Sequence, residues 1–276
     1  MRAGRGGVPG GFHTLHRLGQ NFLVDRNVLA EIVERSGVGE GDVVLEVGPG
    51  QGVLTRALLE RGCVLHAVEL DQRLRPELEP LEAGGRLFLH WGDALRMDYA
   101  SFAPFPKKVI ANIPYNITTP LIWKLLEFAP LGLASCLFMV QKEAADRLTA
   151  PADTKERYPL GVTLEVMGET SCIRRVPPSC FRPMPRVESA LVEIFIRKNQ
   201  DLPEGGLWSE LLHRAFAHRR KTLHNNLKDF KGIDAARWDA LLEECGVSPL
   251  ARAEDLAGEE WLSVFRLLRA RLNPQR

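Results

Sequence analysis

The run Val43-Val-Leu-Glu-Val-Gly-Pro-Gly-Gln-Gly52 restricts this chain's fold more than any other stretch. Four of its first five residues are apolar and read as a buried strand, and Gly48, Gly50 and Gly52 then crowd a turn before the helical pattern of 53–61. Glycines in a strand-to-helix turn let the backbone come close to a ligand. Such a turn belongs to an open α/β sheet, so strands and helices should alternate beyond it. They do: 64–70 precedes a proline-marked helix, 87–90 ends at Gly92-Asp93, 108–111 leads to a helix over 120–128, and 134–140 leads to one over 142–148. The alternation predicts the α/β class, with a mostly parallel sheet and helices on both faces.

The glycine spacing also selects a ligand. A nicotinamide dinucleotide site asks for G-x-G-x-x-G with a pyrophosphate at the helix N-terminus. Here the spacing is G-x-G-x-G, and Glu46 stands two residues before Gly48. Carboxylates match a cofactor carrying a sulfonium and an ammonium, which points to S-adenosylmethionine. Glu69, 21 residues after Gly48 at the end of the next strand, is placed to accept from both ribose hydroxyls. Asp93 ends the third strand and is the candidate acceptor for the adenine amine. One acid at a strand end is common surface punctuation; three on successive strands form a pattern.

The fourth strand ends in Asn112-Ile113-Pro114-Tyr115. This arrangement suits methylation of an exocyclic amino group, whose lone pair is delocalised into the base. The Asn112 side-chain oxygen and the Ile113 carbonyl can accept its two hydrogens and favour a tetrahedral nitrogen. Pro114 biases Ile113 toward an extended conformation, and Tyr115 can stack on a flipped base. A plain turn is the competing reading, since N-x-P and Y-N are frequent in loops.

Past residue 160 the pattern changes. Segments 164–173 and 189–196 read as strands around the proline-rich PPSCFRPMP, which could form an antiparallel edge of the sheet. Helical patterns follow over 207–216, 222–230, 235–245 and 259–271. The linker NQDLPEGG, 199–206, divides a domain at 16–200 from a helical one at 205–276, and the glycine-rich 1–15 reads as a flexible tail. The net charge of +1 is uninformative, but 197–231 holds eight Lys/Arg against four Asp/Glu. That excess suits either a solvated face or an RNA surface.

Other features exclude whole classes. No apolar run reaches the roughly 18–20 residues that cross a bilayer, and the N-terminus lacks the apolar core of a secretory signal. Five scattered cysteines without a C-x-x-C pair argue against a zinc site or a disulfide framework and fit the cytoplasm.

Together these motifs closely resemble the ribosomal RNA adenine dimethyltransferases. The resemblance runs from about residue 16 to 272 through HRLGQNFL (16–23), LEVGPGQGVLT (45–55), VELD (68–71), GDAL (92–95), NIPYNITTP (112–120), MVQKEAADRL (139–148), FRPMPRVESALV (181–192) and AFAHRRKTLHNNL (215–227). It implies a Rossmann-like class I methyltransferase domain with a small all-α C-terminal domain. It further implies dimethylation at N6 of two adjacent adenosines near the 3′ end of small-subunit (16S) ribosomal RNA during ribosome biogenesis. The partner would be a small-subunit precursor, and the protein a monomer without metal. Site roles implied in this way fall on Gln20, Asn21, Leu23, Gly48, Gly50, Ala94 and Asn112 for the cofactor. Phe181 would be a second wall of the target-base pocket, although packing between prolines also accounts for it. Arg219, Arg220 and Lys221 would meet RNA phosphates. Two relatives remain as alternatives: large-subunit adenine methyltransferases that confer antibiotic resistance, and non-catalytic RNA-binding assembly or transcription factors on the same scaffold. The chain departs from the family at Tyr158-Pro159, where members usually carry Tyr-Gly.

Overall fold

The computed structural model describes residues 20–197 and 206–273. The expected tail at 1–15, residues 16–19 of the HRLGQNFL motif and nearly all of the 199–206 linker lie outside the described residues. The chain divides into two compact units, one within 1–145 and 171–198, the other within 146–170 and 199–276.

The first unit is built on the sheet that the sequence predicts. Strands β2 (Val43–Val47), β3 (Val64–Glu69), β4 (Leu87–Trp91), β5 (Lys108–Asn112) and β6 (Ser135–Gln141) run parallel. The inner strands are near-continuous apolar runs, as strands buried on both faces must be, while the edge strand β4 is only partly buried. Strand β9 (Ser189–Ile196) returns antiparallel against β6, with Ser189 opposite Gln141, and β7 (Gly168–Val176) lies beyond it. The spatial order is β4-β3-β2-β5-β6-β9-β7, so the chain starts near the middle, moves to one edge, then crosses to the other. The order reverses between β2 and β5, the switch point where open α/β sheets leave a crevice at their carboxyl ends.

Helix α1 (Arg26–Arg35) is capped by Asp25, which accepts from the amides of Asn27 and Val28 at 2.9 and 3.0 Å. Just before it, a two-residue strand β1 (Phe22–Leu23) pairs with β8 (Phe181–Arg182), Phe22 opposite Arg182 and Leu23 opposite Phe181. Helix α2 (Val53–Glu60) follows the glycine turn, and α4 (Thr118–Leu126) follows the Asn-Ile-Pro-Tyr segment.

One expected strand begins four residues too early. The residues 164–167 belong to helix α6 (Pro159–Met167), and β7 begins only at Gly168. Eight of the nine α6 residues are buried, so the helix lacks the polar face whose period separates a helix from a strand. The compact units do not follow the expected boundary. The segment 146–170, expected in the first domain, packs with the C-terminal helices. Gly161 of α6 lies so close to α5 (Lys142–Leu148) that a Cβ there would sit 2.7 Å from the Arg147 carbonyl oxygen.

The second unit otherwise holds the four expected helices, α7 (Gly206–Ala215), α8 (Leu223–Leu227), α9 (Ala235–Glu244) and α10 (Gly258–Leu272). The α8 helix is shorter than its 222–230 pattern. Trp208, Trp238 and Trp261 are fully buried, and the Trp208 indole donates to Thr163 Oγ1 of α6 at 2.9 Å.

Candidate active site

The carboxyl ends of β2, β3, β4 and β5 border a cleft of about 840 Å³. No lysine or arginine is among the described residues that line it, so its chemistry disfavours a pyrophosphate and tolerates a cation. The glycine turn forms its floor. The Gly48 amide donates to Val68 O at 2.9 Å, and Gly50 adopts a left-handed φ of 57°. A Cβ on Gly50 would fall 2.8 Å from Phe22 Cε1, closer than side-chain atoms approach. Phe22 therefore covers the turn, and only glycine fits beneath it.

The acids divide by role. Glu69 accepts the Gly50 amide at 3.1 Å on Oε2 and the Asp71 amide at 2.8 Å on Oε1. Burial raises its pKa, partly offset by these amides. A carboxylate offers about four acceptor sites, so beside these amides it can still accept from a hydroxyl. Asp93 also lines the cleft, with Oδ1 accepting the Leu95 amide at 2.9 Å. Its neighbour Ala94 is held by Tyr99, whose hydroxyl donates to the Ala94 carbonyl at 2.8 Å. Gln20 reaches across to Asp71 Oδ2 at 2.8 Å.

Glu46 does not border this cleft. Successive strand residues point to opposite faces, and Val47 takes the cleft side. Glu46 borders an adjoining pocket that shares Phe22, Gly48 and Asn112 with the cleft, and its Oε2 accepts from Thr55 Oγ1 at 2.8 Å. Burial pushes its carboxyl up to about 8, against the Thr55 hydrogen bond and with repulsion from Glu69 adding to the rise.

Asn112 ends β5 at the rim of the cleft. Its Nδ2 donates to the backbone carbonyl of Asn21 at 2.9 Å. A carbonyl only accepts, so this contact fixes which end of the amide is which and turns Oδ1 to other duty. Ile113 is anchored through its amide to Met139 O at 3.1 Å, and Pro114 carries the chain out of the strand at φ −55° and ψ 126°. The Tyr115 ring lines the cleft, and its hydroxyl meets Ser189 Oγ at 2.6 Å.

Two other candidates are not in the cleft lining, though Leu23 borders the adjoining pocket with Phe22, Gly48 and Asn112. Phe181 is fully buried and belongs to the core cluster with Leu23, Ile110 and Met139. Pairing β8 with β1 turns both Phe181 and Leu23 inward, so neither lines the cleft and Phe22 does so instead. The aromatic character of Phe22 was visible in GQNFL, but nothing local distinguishes its facing from that of Leu23.

The basic motif occupies an exposed turn between α7 and α8, within the second unit. Asn226 is buried and donates to the carbonyls of His218 and Lys221 at 3.1 and 3.3 Å, which clamps the turn. Arg219 is held by Glu254 at 2.6 Å and by the Lys155 carbonyl. Arg220 and Lys221 are exposed and have no ion-pair partner among the described residues. Those residues also contain no cluster of three His, Cys, Asp or Glu able to hold a metal ion.

A 3-2-1-4-5-7-6 sheet in chain order, with a glycine turn and acids at successive strand ends, defines a class I methyltransferase. The solved structure of a dimethyladenosine transferase from Plasmodium falciparum matches with a TM-score of 0.76 at 25% identity, covering 92% of this chain and 98% of that one. The 23S rRNA methyltransferase ErmE matches at 0.67 and 27%, covering 90% and 100%. The family model for ribosomal RNA adenine dimethylase matches residues 11–270, and the chain belongs to that family. The ribosomal RNA small subunit methyltransferase A of Rubrobacter xylanophilus is 43% identical over 253 residues, 91% of this chain and 93% of the relative.

Proposed function

We propose that this enzyme uses S-adenosylmethionine to dimethylate N6 of two adjacent adenosines near the 3′ end of small-subunit ribosomal RNA, on a subunit precursor in the cytoplasm. The observation that carries this reading is the Asn112 amide, oriented by the Asn21 carbonyl at the rim of a cleft free of cationic side chains. The residues present fit the cofactor. A glycine turn that a Cβ would block, Glu69 at the end of β3, and Asp93 at the next strand end suit a ribose and an adenine amine. When bound, the cofactor supplies an electrophilic methyl on a cationic sulfur.

The chain's own residues prepare the nucleophile. Asn112 Oδ1 accepts one N6 hydrogen and the Ile113 carbonyl accepts the other, which draws the lone pair out of conjugation and toward the methyl donor. No strong base is needed, because the nitrogen becomes acidic only as its new bond forms and its proton can pass to water. Tyr115 stacks on the extruded base. The protein contributes mainly position. Exposed Arg220 and Lys221 supply phosphate contacts. The family's large-subunit branch shares the reaction, but the basic turn and the Rubrobacter relative favour the small subunit. A non-catalytic binder would need none of Asn112, Tyr115, Glu69 and Asp93.

The test is transfer of labelled methyl to undermethylated small subunits, large-subunit RNA and naked RNA. Label on small subunits is expected, and label confined to large-subunit RNA would overturn the assignment. Asn112→Ala should lower transfer by about a hundred-fold or more, comparable to loss of a positioned hydrogen-bonding group, while cofactor affinity stays within a few fold.

A further inference from the structure

The Tyr115 hydroxyl is spent on a contact that the reaction does not need. It meets Ser189 Oγ at 2.6 Å, and Ser189 is fully buried at the start of β9. Register shows how this arises. Asn112 lies opposite Met139 on β6, Met139 opposite Leu191 on β9, and Ser189 opposite Gln141, two residues nearer the carboxyl rim. The rim of β9 therefore comes within reach of the loop that leaves β5, although 74 residues separate the two side chains in sequence. The ring lines the cleft while its far end is tied into the sheet.

We propose that Ser189 is a positioning residue for the target base: it tethers the Tyr115 hydroxyl and so fixes the plane on which the base stacks. This rests on the functional reading above. A tyrosine ring has two side-chain torsions, and fastening its para position removes most of the freedom of both. Stacking alone is tolerant of slide and tilt, whereas an N6 amine must meet Asn112 and the methyl donor in one geometry. The same contact explains why the residue is tyrosine and not phenylalanine. Burial raises the phenol's pKa and Ser189 offsets this only in part, so the hydroxyl stays protonated and serves as an anchor.

Ser189→Ala, Tyr115→Phe and the double variant test the idea in two ways. The chain has only three tyrosines, so ring-labelled tyrosine gives a readable NMR spectrum without any substrate. Ser189→Ala should move or narrow the Tyr115 ring signals and leave those of Tyr99 and Tyr158 in place; an unchanged Tyr115 signal overturns the tether whatever the enzyme's substrate. In methyl transfer, each single variant should lower kcat by about ten-fold with KM for small subunits within two-fold. The double variant should fall no further than either single one, because both cut the same contact. Multiplying losses, or a Ser189→Ala variant that loses thermal stability but keeps kcat, would overturn the proposal. Loss in Tyr115→Phe alone would also overturn it, and would make the phenol itself the active group. Failure of the wild type to label small subunits counts against the functional reading only, since the NMR comparison still decides the tether.

Discussion

A carboxyl group forced to stay neutral leaves a mark on stability, and Glu46 is placed to do so. Its pKa is about 8 in the folded chain against 4.5 ordinarily. Between those values the folded state binds a proton that the unfolded state has released. Stability from this group is therefore fully present below about pH 4.5 and is lost as pH rises toward 8. Wild-type Tm should decline from pH 5 to pH 8, and Glu46→Gln should flatten that decline. Identical pH profiles would place the titration elsewhere. The sequence had marked Glu46 as a partner for the cofactor's positive end. Strand alternation explains the difference: the residue has the expected charge type at the expected place, but the pleat turns it into the adjoining pocket. Glu69, Asp93 and Asn112 escaped this problem because they sit where strands end and the chain leaves the sheet. Their facing is then set by the crevice more than by the pleat.

Among elements, those legible in advance were the ones with a local cause. The parallel strands announced themselves as apolar runs and the glycine turn by its spacing. The illegible ones depended on partners far along the chain. Helix α6 is apolar nearly all round, so no period betrays it. The β1–β8 pairing joins residues about 160 apart and decides that Phe22, not Leu23 or Phe181, reaches the cleft. That pairing makes Gly50 a sharp test. An alanine there meets the Phe22 ring and also holds a φ that side chains resist, about 1–3 kcal/mol of strain from the backbone alone. Gly50→Ala should weaken binding of S-adenosylhomocysteine roughly ten-fold or more by calorimetry, and Phe22→Ala in the same chain should recover part of it. No recovery would mean that the backbone angle alone matters.

For the whole molecule, charge distribution separates two arginines that adjoin in sequence. Arg219 is engaged by Glu254 and the Lys155 carbonyl, whereas Arg220 has no ion-pair partner among the described residues. Arg220→Glu should weaken binding to small subunits and reduce the slope of log K against log salt by about one, with Tm unchanged. Arg219→Glu should weaken binding too, but it also sets a second carboxylate against Glu254 and should lower Tm. Equal Tm for both variants would show that the Glu254 contact contributes nothing to folding. The basic turn itself was readable as a run of Arg-Arg-Lys. Its scaffold was not, because the buried Asn226 amide that clamps it looks in sequence like any polar residue of a helix.

The carbonyl that orients Asn112 belongs to the backbone of residue 21. Every amino acid carries the same group there, so this contact survives any side-chain change at residue 21, although Asn21 itself also borders the cleft. The contribution is silent to substitution and audible only to a change in chain path. An insertion or deletion between Gln20 and Asp25 would disorient the amide without touching any residue of the Asn-Ile-Pro-Tyr segment.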